Sequence, residues 1–314
     1  MSCFFWKDRG VQYGDGCVTG RVVSYCRCAG NTRDKTPGIS KLSLEGMSLL
    51  VVIKGAGDIA TGVAIRLWRA QFQVVMTEIA RPTTVRRTVS FSQAVYDGAV
   101  AVEGIRAVLV RSVDEVPTVL ETGEIPVLVD PAAACVRQLS PDAVVDAILA
   151  KRNLGTAIGD ASVVIGIGPG FAAGLDCHAV VETQRGHDLG RVIVAGSATP
   201  NTGVPGEIGG YSLKRVLRTG SVGVFRQEME IGTRVKPGDI VGTVGGVPVA
   251  SEIDGILRGI LATGVSVHPG MKCGDVDPRC ETAHCYSVSD KARAVGGGAL
   301  EAILRLYPEP VTLR

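Results

Sequence analysis

Aromatic residues make up only 4% of this 314-residue chain, against 46% hydrophobic residues in all. Its core must therefore be aliphatic. An excess of one charge is also missing: the formal net charge is +2, which gives no electrostatic footprint for a dedicated nucleic-acid binder. No uncharged apolar run reaches the ~18–20 residues of a membrane-spanning helix. The uncharged stretch Ala161–Leu175 is broken by Gly166, Gly168, Pro169, Gly170 and Gly174. The opening residues Met1–Gly10 hold no apolar segment of the kind a secretory signal requires. The nine cysteines are odd in number and irregularly spaced, which is not the framework of a disulfide-stapled domain. These absences lead us to expect a cytoplasmic globular protein with no membrane or nucleic-acid partner.

Glycine, in contrast, is abundant at 41 residues, nearly twice the average share of ~7%. The length suits about two domains at ~100–200 residues each. Residues 1–46 differ from the rest: they hold Cys3, Cys17, Cys26 and Cys28, carry a net +3, and show neither helical nor strand periodicity. Cys26 and Cys28 with Cys17 lack a second pair or a nearby histidine, so no metal site is expected there. Residues 1–46 are expected to be a disordered or mis-started leader, with Met47 standing just before the first strand.

Leu49–Ile53 is a short all-apolar run, the pattern of a strand buried on both faces of a parallel sheet. It leads straight into Lys54-Gly55-Ala56-Gly57-Asp58-Ile59-Ala60. Ala60, Val63, Ala64 and Leu67 then recur at helical spacing, and a second run, Phe72–Met76, ends at Thr77-Glu78. This is the order of a dinucleotide-binding βαβ unit. Gly55 would allow the tight turn, Gly57 the approach of a pyrophosphate, and Ala60 the packing of helix on strand. Glu78 would accept ribose hydroxyls, and the helix N-terminus would attract the phosphates. Asp58 places a carboxylate inside that turn, which is unusual for a plain NAD site. Arg81, Arg86 and Arg87 follow the second strand, where a doubly wound sheet binds its ligand, and are candidate phosphate contacts.

Val108–Val110 and Pro126–Val129 read as further strands. Ser140-Pro141-Asp142 resembles a helix start, and Val144, Val145, Ile148 and Leu149 would form the apolar face of a helix ending near Lys151-Arg152-Asn153. Val163–Ile165 is another strand, feeding a second glycine loop in which Gly168 and Gly170 are candidate ligand contacts. Beyond it, Asp176, His178 and Glu182 would share one face of an extended segment. With His187 they form a candidate acid–base group. The loop Gly196–Gly203 is a candidate lid.

One internal repeat is sharp. Gly232-x-x-Val235-x-Pro237-Gly238-x-x-x-Gly242-x-Val244 recurs 32 residues later as Gly264-x-x-Val267-x-Pro269-Gly270-x-x-x-Gly274-x-Val276. Two such halves predict a β-rich barrel-sandwich-hybrid-like module of the biotinyl/lipoyl type. The link between them, Gly245–Gly255, has no lysine, which excludes covalent biotin or lipoate. Cys273, Cys280, His284 and Cys285 fit no common zinc spacing. Ser287–Arg293 opens a last helix whose face of Ala299, Ala302, Ile303 and Leu306 should pack back on the first domain. The fold expected is α/β: a leader over 1–46, a Rossmann-like nucleotide-binding sheet domain over 47–170, a polar segment over 171–222, the duplicated module over 223–280, and a packing helix over 281–314.

In order along the chain, Lys54–Gly62, Arg87–Ser92, Ala150–Asn153, Gly168–Phe171, Glu182–His187 and Gly274–Arg279 resemble the accessory proteins of the selenium-dependent molybdenum hydroxylase system, the YqeB-type family. The likeness runs from Leu49 to Leu306. It implies a role in maturing a molybdenum hydroxylase of the xanthine dehydrogenase type, with that client enzyme and a nucleotide-type small molecule or the molybdenum cofactor as partners. Self-association and the reaction, if there is one, stay open. Two other readings stand beside it: an NAD(P)-dependent oxidoreductase, and a non-catalytic scaffold for the client hydroxylase.

Overall fold

Short runs of Val, Ile, Leu and Ala with no polar alternation have no face to turn to water, so they stack side by side with cover on both faces. The computed structural model describes residues 49–308. The leader with its four cysteines, and Met47, lie outside the described residues. Nine strands form one mixed sheet: β1 (Leu50–Lys54), β2 (Gln73–Glu78), β3 (Ala99–Val102), β4 (Ile105–Val110), β5 (Ile125–Val129), β6 (Ala143–Asp146), β7 (Val163–Ile167), β8 (Ala179–Val181) and β9 (Val192–Ile193). Their order is β3-β4-β5-β2-β1-β6-β7-β8-β9. Every pair from β4 across to β8 is parallel, while β3 and β9 are antiparallel edges. The chain leaves β1 toward β2 and later returns to the other side of β1 as β6. A crevice therefore opens beyond the carboxyl ends of β1 and β6.

Side chains alternate between two cores. Val51 and Ile53 point into one and Val52 into the other, all fully buried. Over the first core lie α1 (Asp58–Arg69) and, after the short helices α2 (Ala94–Asp97), α3 (Val116–Glu121) and α4 (Cys135–Leu139), the terminal helix α5 (Asp290–Leu306). Ala299, Ala302 and Ile303 of α5 are buried in this core. The two helices touch through small residues: a Cβ on Gly62 would come within 2.6 Å of the Ala292 Cβ, and one on Gly296 within 2.7 Å of the Gly62 carbonyl. Gly62 meets Ala292 and Gly296 while Arg66 meets Gly296, so the helices run parallel and their N-termini lie at the same end.

The helix expected from Ser140-Pro141-Asp142 is a correction. Ala143–Asp146 is strand β6, paired with both β1 and β7, and Ile148–Asn153 is loop. Ser140 ends α4 in a left-handed conformation (φ 45°). Asp142 does not cap a helix; its carboxylate accepts the Leu50 N–H at 2.8 Å and the Tyr307 hydroxyl at 2.9 Å. A four-residue apolar run fits a buried strand and a helix face equally well, and the sheet vacancy beside β1 decides it.

The repeat is a structural duplication. Eight strands follow: β10 (Val216–Arg218), β11 (Gly223–Gln227), β12 (Arg234–Val235), β13 (Ile240–Val244), β14 (Val247–Ala250), β15 (Gly255–Ile260), β16 (Ser266–Val267) and β17 (Lys272–Asp277). They form two antiparallel sheets, β10-β17-β15-β12 and β14-β13-β11-β16. A shift of 32 residues carries β11 onto β15, β12 onto β16 and β13 onto β17, so one sheet maps onto the other. Each half lends its two-residue strand to the other half's sheet. The paired Pro-Gly turns keep the same strained backbone, Gly238 at φ 94° and Gly270 at φ 78°. A common core of Phe225, Val241, Leu257, Ile260 and Val276 fills the space between them.

Residues 81–88 join the two parts. The Ile260 N–H donates to the Val85 carbonyl at 2.8 Å. Arg87 donates to the Ile260 carbonyl at 2.9 Å and to Gln227 at 2.5 Å, and the Thr88 hydroxyl donates to the Cys285 carbonyl at 2.6 Å.

Candidate functional site

The crevice at the end of β1 is a cavity of about 470 Å³ lined by Gly55, Gly57, Asp58, Ala60 and Glu78. The predicted residues of the first turn are thus brought together. Gly55 has φ 92°, and a Cβ there would press on the Ala147 carbonyl and Ile148 Cα at 3.1 Å. Both facts demand glycine. Gly57 caps α1 without any side-chain hydrogen bond, which leaves first-turn N–H groups for a ligand. Glu78 closes the cavity's far side. Its carboxylate accepts the Ala56 N–H at 3.0 Å and the Ile79 N–H at 2.8 Å, so it is tied to the glycine turn itself. Burial pushes its pKa up against those two hydrogen bonds.

A second cavity, of about 460 Å³, adjoins the first and shares Asp58, Ile59, Leu149 and Lys272 with it. Its walls are basic. Arg86, Arg215 and Arg258 line it although each is less than 9% exposed. Asp275, 1% exposed, accepts from Arg215 at 2.5 Å and from Arg258 at 2.8 and 2.5 Å. Arg258 also reaches Asp277 at 3.1 Å, which in turn holds Arg279 at 2.6 Å. Arg86 lies 3.7 Å from Asp58 and donates to the His284 and Ser287 carbonyls at 2.9 and 3.2 Å. Lys151, Arg185, Lys272 and Lys291 complete the positive wall, against which, among the described residues, only Asp58 and Asp275 supply carboxylates. Arg185 is neutralised from outside by Asp290, at 2.5 and 2.8 Å. Burial lowers the pKa of Lys291, opposed by the charge of Asp58.

The expected acid–base group is not assembled around either cavity. The strand is only Ala179–Val181, so Asp176 and His178 precede it in a turn. Asp176 accepts the Ala172 N–H at 2.8 Å, and His178 Nδ1 accepts the Val164 N–H at 2.9 Å, closing backbone valences beside β7. His187 is exposed. Glu182, 4% exposed, accepts from the backbone of Thr183, Gln184 and Thr199 at 2.6, 2.7 and 2.8 Å. Burial raises its pKa, but those hydrogen bonds win and hold it below the ordinary value. Its job is to fix three residues that line the basic cavity, Thr183, Gln184 and Thr199.

Gly168 and Gly170 also act through the fold. Both have positive φ, and a Cβ would fall 2.7 Å from Thr183 Oγ1 or 2.6 Å from the Arg152 nitrogen; only the intervening Pro169 lines the cavity. Arg81 points away, donating to the Gly264 carbonyl at 2.8 Å, and Arg87 belongs to the seam. Of the three arginines only Arg86 faces the cavity. The lid candidate does contribute, through Thr199, Pro200, Asn201 and Thr202. Cys273 and Cys285 are buried, and burial raises both thiols, Cys273 to about 11. Among the described residues no three His, Cys, Asp or Glu side chains cluster as a metal site. Arg215, Arg258, Lys272 and Lys291 were missed by sequence reasoning. For Arg258 and Lys272 the signal was charge inside strands that are otherwise buried, Gly255–Ile260 and Lys272–Asp277; Arg215, just before β10, and Lys291, in the first turn of α5, carried none.

No protein-family model matches the chain. It is 52% identical over 305 residues to the uncharacterized protein YqeB of Escherichia coli (strain K12). That match takes in 96% of this chain, a share that reaches into residues 1–46, and the chain spans 56% of the relative's length. Among solved structures, an aspartoacylase family protein from Mesorhizobium loti is 14% identical with a TM-score of 0.22, covering 73% of this chain and 84% of that one. A succinylglutamatedesuccinylase/aspartoacylase from Rhodobacter sphaeroides is 13% identical with a TM-score of 0.22, covering 74% and 86%. Such scores transfer no activity.

Proposed function

We propose that this chain is a cytoplasmic accessory protein that binds a nucleotide, or the nucleotide-bearing molybdenum cofactor, during maturation of a selenium-dependent molybdenum hydroxylase. The sheet would then be Rossmann-like in function as well as strand order, and the duplicated sheets a barrel-sandwich-type module that meets the client enzyme. One observation carries the reading: Gly55, the uncapped start of α1 and Glu78 line a single cavity at the switch point of the sheet. Phosphates are held there by N–H groups and a helix dipole, and ribose hydroxyls by a carboxylate at the end of the next strand. The donor set suits the phosphate-bearing end of such a cofactor. None of the described residues lining the two cavities is Cys, His or Met, so these walls offer the metal end no soft ligand. When bound, the cofactor supplies the molybdenum chemistry; the protein's residues hold and orient its anionic end.

The test is mass spectrometry of small molecules retained by the native protein, followed by calorimetric titration of the ligand found. Gly57→Val and Glu78→Ala should each abolish saturable binding while leaving the melting temperature within a few degrees. Tight NAD(H) binding with hydride transfer to a substrate would replace the proposal with an oxidoreductase. Binding of the client hydroxylase with no nucleotide retained by either protein would leave a scaffold.

A further inference from the structure

The basic cavity exceeds what a single pyrophosphate in the first cavity requires. The chain as a whole is nearly neutral, yet this one hollow gathers cations from the linker after β2, the loops after β6 and β8, strands β15 and β17 with the residue before β10, and the start of α5. Charges collected from segments so distant in sequence are costly to hold together without an anion between them.

Three details show that the positive charge is left over. Asp275 pairs with Arg215 and Arg258 and Asp58 with Arg86. Lys272 feels the charge of Asp275 and Lys291 that of Asp58, but among the described residues neither ammonium group comes within ion-pair distance of a carboxylate. Arg86 is 6% exposed, and its Nε has no hydrogen-bond partner among the described residues, an omission rare for a buried donor. Finally, α1 and α5 run parallel with their N-termini at the same end. Asp58 and Ile59 of one and Ser289 and Lys291 of the other line the same cavity, so two helix dipoles add where the unpaired ammonium groups sit.

We infer that this cavity is a second anion site that takes a tetrahedral oxyanion of the phosphate class, held by Lys291, Lys272 and Arg86. It is separate from the glycine-turn cavity and goes beyond the nucleotide reading. The oxyanion is either a free species presented beside the nucleotide or the outer phosphoryl group of a ligand reaching across Lys272, which lines both cavities.

Calorimetric titration of the full chain with orthophosphate, sulfate and molybdate at low ionic strength tests this. Saturable 1:1 binding is expected, weakened roughly ten- to hundredfold in Lys291→Gln, the loss of one charge-assisted contact. Lys272→Gln should weaken it similarly, and the exposed Lys236→Gln not at all. Gly57→Val should leave oxyanion affinity intact while abolishing nucleotide binding, so the two sites fail independently. Orthophosphate binding that persists with nucleotide bound identifies a free co-ligand; competition identifies the outer phosphoryl group. Absence of saturable binding overturns the inference, as does binding that Lys291→Gln and Lys272→Gln leave unchanged. So does orthophosphate binding lost in Gly57→Val alone, which would place the anion in the first cavity.

Discussion

Gly296, Gly297 and Gly298 stand in a row in α5, and the structure packs the first and last closely while leaving the middle one open, so one substitution should have opposite effects at adjacent positions. Glycine in a helix interior costs about 0.5–1 kcal/mol relative to alanine, through the freedom of the unfolded chain. At Gly297 nothing lies within 4 Å of the missing Cβ, so Gly297→Ala should return that amount. At Gly298 the same Cβ would sit 2.2 Å from the Gly190 carbonyl oxygen and 2.8 Å from Val181 Cγ1. The first of these is backbone in a turn with φ 86° and the second a buried strand residue, so neither yields cheaply. Overpacking of this kind costs about 1–3 kcal/mol or more, which outweighs the helix gain. The helix gain is common to both variants, so they should differ by the overpacking cost alone, about 1–3 kcal/mol, or roughly 2–10 °C in melting temperature for a protein of this size. Scanning calorimetry of the pair, with urea midpoints as a second measure, decides it. If Gly298→Ala melts with or above Gly297→Ala, then α5 does not seat on β8 and the Gly190 turn, and the shared end of α1 and α5 loses its basis.

Asp275→Asn should cost about 3–5 kcal/mol, because it strips the shared partner from two buried guanidinium groups; urea denaturation that finds less than about 1 kcal/mol would mean that Arg215 and Arg258 are solvated. Burial pushes the Asp277 carboxyl up, but hydrogen bonds from Arg279 and the charge of Arg258 hold it at about 2. A carboxyl depressed in the folded state stabilises above its ordinary value of 3.8 and loses that contribution as pH falls through about 2, here roughly 2 kcal/mol. The acid limb of a stability–pH curve should accordingly flatten in Asp277→Asn, and superposable limbs would refute the assignment.

What the sequence disclosed depended on how local the signal was. The strand, glycine turn and helix from Leu50 to Arg69 are neighbours in the chain, and Glu78 follows within one βα unit; their meeting around one cavity was readable. The 32-residue repeat was also readable, because strained glycines such as Gly238 and Gly270 mark the same turn twice. Ala143–Asp146 was not, since four apolar residues carry no period, and the decision rests on a place beside β1 that only the assembled sheet creates. The Asp176, His178 and Glu182 pattern misled for a related reason. Alternation puts side chains on one face only while the strand lasts, and this strand begins at Ala179. The carboxylate and the imidazole were instead consumed by backbone N–H groups, a use that leaves no mark in the sequence. The basic cavity was least visible, because Arg86, Arg258 and Lys291 meet only through tertiary folding.

That distribution bears on what the duplicated module is for. Were it only an appendage for docking, the seam at residues 81–88 would need apolar contacts and the cavity would belong to the α/β sheet alone. Instead the module supplies Arg258, Lys272 and Asp275 to the wall, and the segment before β11 supplies Arg215. The α/β part supplies Asp58, Arg86, Lys151 and Lys291. Arg86 is held in place by carbonyls of His284 and Ser287, which lie between the module and α5, so its position is set by the chain passing from one part to the other. Removing the module would take away much of the wall and free the arginine that faces it. The near-neutral net charge is therefore a sum over an uneven distribution, and the module is one of the walls of the site.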